Sequence, residues 1–511
     1  MAQNNEEKSG FFKKILDKVE HVGNKLPQPV TLFAILMGLI LILSWIFGSL
    51  GVSVKHPAPE APGVDEHIKA VNLLDAEGIR MIMTNMVDVF AEFPPLGLVL
   101  AVMIGIGVAE RSGLITVALR IFVDKVPNSL ITFSVVIAGM FSSIAVDAGY
   151  VVLIPLGATI FMSMGRHPLA GLAAAFAGVS GGFGANFIPT AIDPLIASFT
   201  QPAAQIIDPE YTVNPLSNYY LMAASVPLIG LAGTWVTEKL IVPRLGKYEG
   251  DGGEVDQKEE ISPTERKGLR WAIVSVVIFL GLIALAIIPS DAIFRDADGS
   301  LTPFYNSIVP LMLILFFIAG LVYGLVTKSI KGDKDVAKMT ADSMSTMGGY
   351  IVLAFVAAQF VAYFNWSNLG LIVAVSGASG LQNIGFTGIP LLVAFILVSS
   401  LINLLIGSAS AKWAIMAPIF VPMLMLMGFS PETTQAAYRI GDSYSNILTP
   451  LLPYFPLIIT FAQKYDKSIG LGTIISTMLP YAILFAAVRI PMLVVWILLD
   501  LPLGIEGPIY Y

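Results

Sequence analysis

The chain has no cysteine. That excludes disulfides, iron–sulfur clusters and thiolate-held metals. Histidine is scarce: His21, His56, His67 and His167 lie in or near loops, with no metal-ligand spacing among them. No GxxxxGK[ST] stretch occurs, so the chain carries no phosphate-cradling loop for ATP hydrolysis. Charge is thin as well. Asp, Glu, Lys and Arg make up 13% of the 511 residues, against about 25% in a soluble domain. The net charge of −7 is spread over loops and implies no nucleic-acid partner. The first apolar run begins only after a polar stretch of ~27 residues, later than the apolar region of a cleaved signal peptide, so the first helix is expected to remain as an anchor.

What the chain does have is apolar sequence. Hydrophobic residues make up 56% of it, the mean hydropathy is +0.78, and several runs exceed the roughly 18 residues that mark a membrane helix. The fold class is an all-α polytopic membrane protein. One stretch occurs twice, at Pro127 to about Asn186 and at Pro390 to about Asn446. A displacement of 263 positions sets Pro155 on Pro418, Gly178 on Gly441, Ser180 on Ser443, Asp147 on Ser410 and Tyr150 on Trp413; three residues less sets Asn186 on Asn446. The identities are mostly Pro and Gly, which fix backbone shape. A duplicated apolar unit interrupted by such residues is the mark of a secondary transporter.

In order, residues 1–27 read as a basic amphipathic N-terminus on the cytoplasmic membrane surface. Spans follow at 28–53 and, after a long loop, at 94–110, with an interfacial piece at 113–123. Residues 128–166 form two apolar arms around the polar centre "SSIAVDAG", and basic residues, Lys125 and Arg166, flank both ends. A hairpin that enters and leaves on one side keeps both charges out of the bilayer. The next helix, 169–200, is interrupted by "GVSGGFGANFIPT" at 178–190. Spans at 217–240, 269–288 and 306–327 precede the second copy. That copy holds a span at 347–364, an apolar piece at 369–376, a hairpin at 389–428 with tip "GSASAK", and a helix at 432–463 interrupted at "GDSYSN". A last span covers 472–500. The expected architecture is nine transmembrane helices plus two re-entrant hairpins in an inverted repeat. The transport repeats are 94–200 and 347–463, with 28–53 and 217–327 as scaffold and dimerisation helices. With the N-terminus in the cytoplasm, 22 Lys and Arg fall inside and 4 outside. The positive-inside rule then fixes the orientation and puts the C-terminus in the periplasm.

Charged side chains within the membrane are costly and face protein or water. Asp147 and Lys412 lie in the two tips, Asp193 follows the first break, and Arg439 and Asp442 stand one helical turn apart in the second. Arg489, outside the repeats, reads as structural. Asp193 has no basic residue near it in sequence and is expected to carry a proton. Asp442, with Arg439 beside it, is expected to stay ionised and serve a cation. Arg439 is the expected grip on a substrate carboxylate, because a guanidinium stays charged and donates two parallel bonds, and Trp413 is the expected contact for an aromatic ring. Oxygen-bearing side chains gather at the same places: Ser142, Ser143, Ser180, Asn186 and Thr190 in the first copy, Ser408, Ser410, Ser443, Ser445, Asn446 and Thr449 in the second. Oxygen ligands suit a hard cation, and Asn403, Asp442 and Asn446 are candidate ligands of a bound sodium ion. Otherwise no cofactor is expected. Asn186 with the first tip is the symmetry-related candidate.

The stretches "VEHVGNKLPQPVTLFAI" (19–35), "GRHPLAGLAAAFAGVSGGFGAN" (165–186), "QFVAYFNWSNLG" (359–370), "SASAKWAIMAPIFVPM" (408–423) and "YRIGDSYSNILTPLLPYFP" (438–456) resemble the AbgT family of p-aminobenzoyl-glutamate transporters. The resemblance runs over nearly the whole chain. It implies nine helices and two hairpins in a dimer, and transport of p-aminobenzoyl-glutamate or, in some members, export of sulfonamides. It places functional positions on Asp193, Trp413, Pro431, Arg439, Asp442 and Pro450, with Ser410 and Asn403 also matching. Direction and coupling ion, proton or sodium, differ between members. The competing classes are an ion channel, whose flux grows without saturation, and a dicarboxylate/sodium symporter of similar fold. A membrane hydrolase built on Ser408, Ser410 and Lys412 is a third and weaker one. The topology makes a direct prediction: cysteines placed at Lys125 and Arg166 should both label from the cytoplasmic side, and labelling from opposite sides would make 128–166 a crossing.

Overall fold

The computed structural model describes residues 29–55, 67–124, 127–144, 149–248, 261–297, 299–452 and 454–511. The N-terminal amphipathic segment, Lys125 and Asp147 lie outside the described residues. Among the described residues the fold is helical, with a two-stranded antiparallel pair (Ser53–Lys55 with His67–Lys69) as its strand content. Seven helices among the described residues are long and apolar enough to cross a bilayer; they include Val30–Ser49, Tyr219–Leu245, Pro263–Leu285, Ile308–Thr327, Gly348–Trp366 and Leu471–Leu498. These fall on expected spans. The two spans read as interrupted are interrupted. Pro168–Phe176 passes through a widened turn, Ala177–Gly181, into irregular backbone before Ile192–Ala204, and Pro431–Ser445 is separated from Phe455–Gln463. Pro168, Pro194, Pro431 and Pro450 lie at or near the ends of these pieces, where the missing N–H costs least.

Each copy of the repeat folds back on itself. In the first, Ile131–Phe141 and Ile154–Ser163 are the arms. The first arm runs with the broken helix: Gly178 lies against the Val136 carbonyl and Asn186 Nδ2 donates to Met140 O at 3.0 Å. The second runs against it: Gly149 lies by Val179, and Gly157 by Gly171 and Ala175. The two arms are therefore antiparallel. The second copy repeats the pattern with Gly388–Asn403 and Ala409–Met425. Gly441 lies against Ser399, and Asn403 Nδ2 donates to Asn446 Oδ1 at 2.8 Å. Ser399 and Gly441 stand 263 positions after Val136 and Gly178, and Asn403 stands 263 after Met140. The repeat seen in the letters is thus a repeat of packing contacts. Glycine is required where the helices cross, because a Cβ on Gly178 or Gly441 would enter a backbone carbonyl; small residues of this kind let membrane helices approach closely.

The copies embrace rather than stand apart. Ile192–Ala204 of the first packs along Ala409–Met425 of the second. The stretch read as a loop from 55 to 93 contains, besides the strand pair, a helix Ala76–Ala91 that Asp75 caps through Glu77 N and Gly78 N at 3.1 and 2.8 Å. Its Glu77, Arg80 and Asp88 keep its mean hydropathy low, and a search for long apolar runs passes over it. The polar helix Asp333–Thr346 was missed for the same reason. The piece at 369–376 extends into a helix Leu369–Asn383. Tyr219–Val236 packs on Ile131–Phe141 and the last helix, while Pro263–Leu285 and Ile308–Thr327 pack with Pro94–Arg111 into a second core. The last residues form a strap: Ile509 O accepts from Ser430 N at 3.0 Å and Thr433 Oγ1 at 2.8 Å, and Leu503 O from Leu221 N at 3.0 Å.

Gly178→Ala and Gly441→Ala should each destabilise the protein by about 1–3 kcal/mol through overpacking, read as a lower thermal midpoint in detergent. Gly281→Ala, in an open helical position with nothing within 4 Å, should not. Equal midpoints for all three would remove the crossings from the account.

Candidate functional site

The helix Pro431–Ser445 is the unusual element. It carries Glu432, Thr433, Thr434, Gln435, Arg439, Asp442 and Ser443, yet all fifteen of its residues are buried. It starts cleanly, with Ser430 accepting from Thr433 N at 3.0 Å and Pro431 in the first turn. Burying this much polarity away from water is tolerated only if the groups are paired. The partners come from the elements wrapped around it, and they define the site.

Arg439 pairs with Asp193, Nη2 to Oδ1 at 2.7 Å, and lies 3.4 Å from the Gly184 carbonyl. Gly184 has φ +79°, and a Cβ there would meet the guanidinium at 3.2 Å; the left-handed glycine lets irregular backbone reach the arginine. Asp193 is held further by Thr190, from its backbone N at 2.7 Å and Oγ1 at 3.0 Å. Lys412, fully buried, pairs with Asp442 at 2.5 Å, touches Asn403 Oδ1 at 2.5 Å and lies over the Tyr438 ring. These pairings correct two expectations. Asp193 is not without a basic partner, and Arg439 does not pair with Asp442 one turn on. Asp193 and Arg439 are 246 residues apart, so local spacing could not show that they meet.

Trp413 has no exposed surface. It stacks on Tyr438, with centroids 4.3 Å apart, and donates from Nε1 to Thr200 Oγ1 at 2.9 Å. Thr200 bonds Gln435 Oε1 at 2.6 Å, and Gln435 Nε2 donates to Asn218 Oδ1 at 2.9 Å. In the first copy Tyr150, the counterpart of Trp413, stacks on Tyr454 of the second at 4.2 Å. Thr200, Gln435 and Asn218 were not singled out from sequence, although a Thr and a Gln inside apolar runs were a usable signal. Ser410 is half-buried, its hydroxyl 3.4 Å from that of Ser408. Asn446 Nδ2 donates to Asp442 Oδ2 at 3.3 Å. Ser443 accepts from Arg489, which also donates to Met222 Sδ at 3.2 Å. Ser142 donates to Gly139 O at 2.6 Å, and Asn186 Oδ1 has no hydrogen-bond partner among the described residues. Pro431 stands apart: eight residues before Arg439, about 12 Å along the axis. Pro450 lies in the turn after the second break, beside Leu451, whose carbonyl packs on Gly407 of the second tip.

Arg439, Tyr438 and Asp442 face a cavity of about 10 Å³, room for about one water molecule, closed by Phe183, Gly184, Ile192, Ile196 and Ala409. Both copies contribute to it. Its lining is a guanidinium and a carboxylate among aromatic and aliphatic walls. Removing one partner of a buried pair typically costs about 3–5 kcal/mol, because a lone charge is left behind. Lys412→Met and Asp442→Asn should each lower the thermal midpoint sharply. The double variant should recover most of the loss, and strictly additive losses would mean the two groups act independently.

The comparisons with known proteins agree with this geometry. The model of the AbgT putative transporter family matches residues 14–511. The chain is 39% identical over 494 residues to the p-aminobenzoyl-glutamate transport protein of Escherichia coli K12, covering 96% of each. Among solved structures it is similar to the Alcanivorax borkumensis YdaH transporter, described as having an unusual topology: 43% identity, TM-score 0.88, 94% of this chain and all of that one. It is similar also to Neisseria gonorrhoeae MtrF, described as illuminating a class of antimetabolite efflux pumps: 50% identity, TM-score 0.92, 97% of this chain and all of that one. A buried polar helix held by one ion pair across two copies of a unit and by another within the second copy is thus the core of a membrane transporter, not an enzyme, and the chain belongs to the AbgT putative transporter family.

Proposed function

We propose that this chain is a secondary transporter of p-aminobenzoyl-glutamate-like aromatic carboxylates, with sulfonamide antimetabolites as a further substrate class, and that a proton gradient drives it. Arg439 carries the reading. It is a buried guanidinium beside a cavity, and its present partner, Asp193, is itself a carboxylate. A substrate carboxylate and ionised Asp193 compete for the same donors. A proton on Asp193 removes its charge and frees the guanidinium; loss of that proton restores the pair and expels the ligand. Substrate and proton are linked through one arginine, and Asp193 keeps the proton-carrying role although the reason differs from a missing partner.

At about 10 Å³ the cavity is far below the ~300 Å³ lower end of ordinary ligand pockets. Admission of an aromatic dicarboxylate therefore requires the second tip, with Ser410, to part from the Phe183–Gly184 backbone. That movement exposes Tyr438 and the edge of Trp413 to the aromatic ring. The likeness to an Escherichia coli protein named for p-aminobenzoyl-glutamate transport and to an efflux pump supports the substrate class.

The finer architecture belongs to the same proposal: nine crossings, two re-entrant hairpins formed by the antiparallel arms, an N-terminus in the cytoplasm, a C-terminus in the periplasm, and a homodimer in the bacterial inner membrane. The partners are the small-molecule substrate, the bilayer and a second copy. Pro431 and Pro450 bound the pieces of the second broken helix and set where they end.

Binding to purified protein tests the reading. Arg439→Lys keeps the charge but loses the two-pronged grip, and should weaken p-aminobenzoyl-glutamate binding on the order of tenfold, the equivalent of one charge-assisted hydrogen bond. Asp193→Asn removes the competing charge and should leave binding at least as tight as in wild type while abolishing gradient-driven transport. Undiminished affinity in Arg439→Lys would make the Arg439–Asp193 pair structural only.

A further inference from the structure

A sodium ion at Asn403, Asp442 and Asn446 is what the sequence suggests, and the side chains do not fit it. Their four oxygen atoms are already engaged by N–H donors. Lys412 Nζ donates to Asn403 Oδ1 and to Asp442 Oδ1, both at 2.5 Å. Asn446 Nδ2 donates to Asp442 Oδ2 at 3.3 Å, and Asn403 Nδ2 to Asn446 Oδ1 at 2.8 Å. A metal cation would compete with these donors for the oxygen lone pairs, and on two of the four oxygens the competitor is the Lys412 ammonium. A second positive charge would also lie within a few ångströms of a fully buried ammonium, where repulsion is strong because water is excluded.

We propose that the Lys412 ammonium is the resident cation of this site, tethered to the chain in the place a sodium ion would take, so that the protein binds no sodium there. The contacts are those of a bound cation: a carboxylate oxygen, an amide oxygen and the face of the Tyr438 ring, 5.4 Å from Nζ to the centroid. The repeat shows that a lysine is not demanded by the fold. Its counterpart 263 positions earlier is Gly149, where the Ser142 hydroxyl and Val179 fill the space and no ammonium is present. A feature present in one copy only, and completing a charged oxygen cluster there, is chemistry added to a common scaffold.

The inference concerns ion occupancy and does not rest on the substrate, so it is tested without substrate. Purified protein is melted in sodium chloride and in choline chloride of equal strength, and binding of radioactive sodium is measured at equilibrium. A ligand that binds only the folded state raises the midpoint in proportion to the logarithm of its saturation. Lys412→Ala should unfold at lower temperature in choline and be rescued by sodium, with a sodium affinity at least about tenfold tighter than wild type, enough for a clear shift in midpoint. Adding Asp442→Asn should abolish the rescue. A folded Lys412→Ala that ignores sodium would overturn the proposal. If Lys412→Ala does not fold, wild type decides: sodium binding that is lost in Asn446→Ala overturns it, and the absence of such binding upholds it.

Discussion

Everything in this protein turns on keeping one polar helix, Pro431–Ser445, buried within a membrane. Unpaired polar groups there cost several kcal/mol each in principle, and charges more. The surrounding elements are placed so that Arg439 and Asp442 each meet an opposite charge. Asp193 comes from the first copy for Arg439, and Lys412 comes from the second tip for Asp442. Thr200 and Asn218 satisfy Gln435, and the carboxy-terminal strap takes Ser430 and Thr433. Remove the requirement and there is no reason for the copies to interlock. Stability and function therefore draw on the same contacts: the pairs that make the helix tolerable are those a substrate carboxylate or a proton can disturb.

The two copies share a frame and differ in chemistry. Gly178 and Gly441 make equivalent crossings, and Tyr150 and Trp413 both reach across to the opposite copy. At the tips the equivalence ends. The second has a lysine where the first has a glycine, and the arginine sits only in the second broken helix. A symmetric scaffold can move as two like halves while its unlike side chains assign one half to binding. Any motion that separates the second tip from the first break opens the Arg439 cavity and loosens the cross-copy bonds together.

Much of this was legible in the sequence, for physical reasons. Apolar length reveals membrane helices, and proline and glycine reveal breaks, because both act through local backbone energetics. The repeat survived in the letters because its identities are those backbone residues. The spans, the two interruptions and the individual charges Arg439, Asp442 and Asp193 follow from such local signals. The pairings did not. Arg439 lies one turn from Asp442 and yet bonds Asp193, because through-space neighbours depend on how two distant segments pack. Helix Ala76–Ala91 was missed because its apolar residues are spaced among charges rather than run together. Lys412 was visible as an expensive charge, but only the fold shows that it fills the place assigned to an ion.

The central claim is that a substrate carboxylate and Asp193 compete for Arg439, and that a proton on Asp193 decides between them. Uptake of labelled p-aminobenzoyl-glutamate into proteoliposomes tests it most directly, with a pH gradient imposed at equal sodium and then a sodium gradient at equal pH. The account predicts flux that follows the pH gradient and is indifferent to sodium. Flux driven by the sodium gradient alone, with no response to pH, would contradict it.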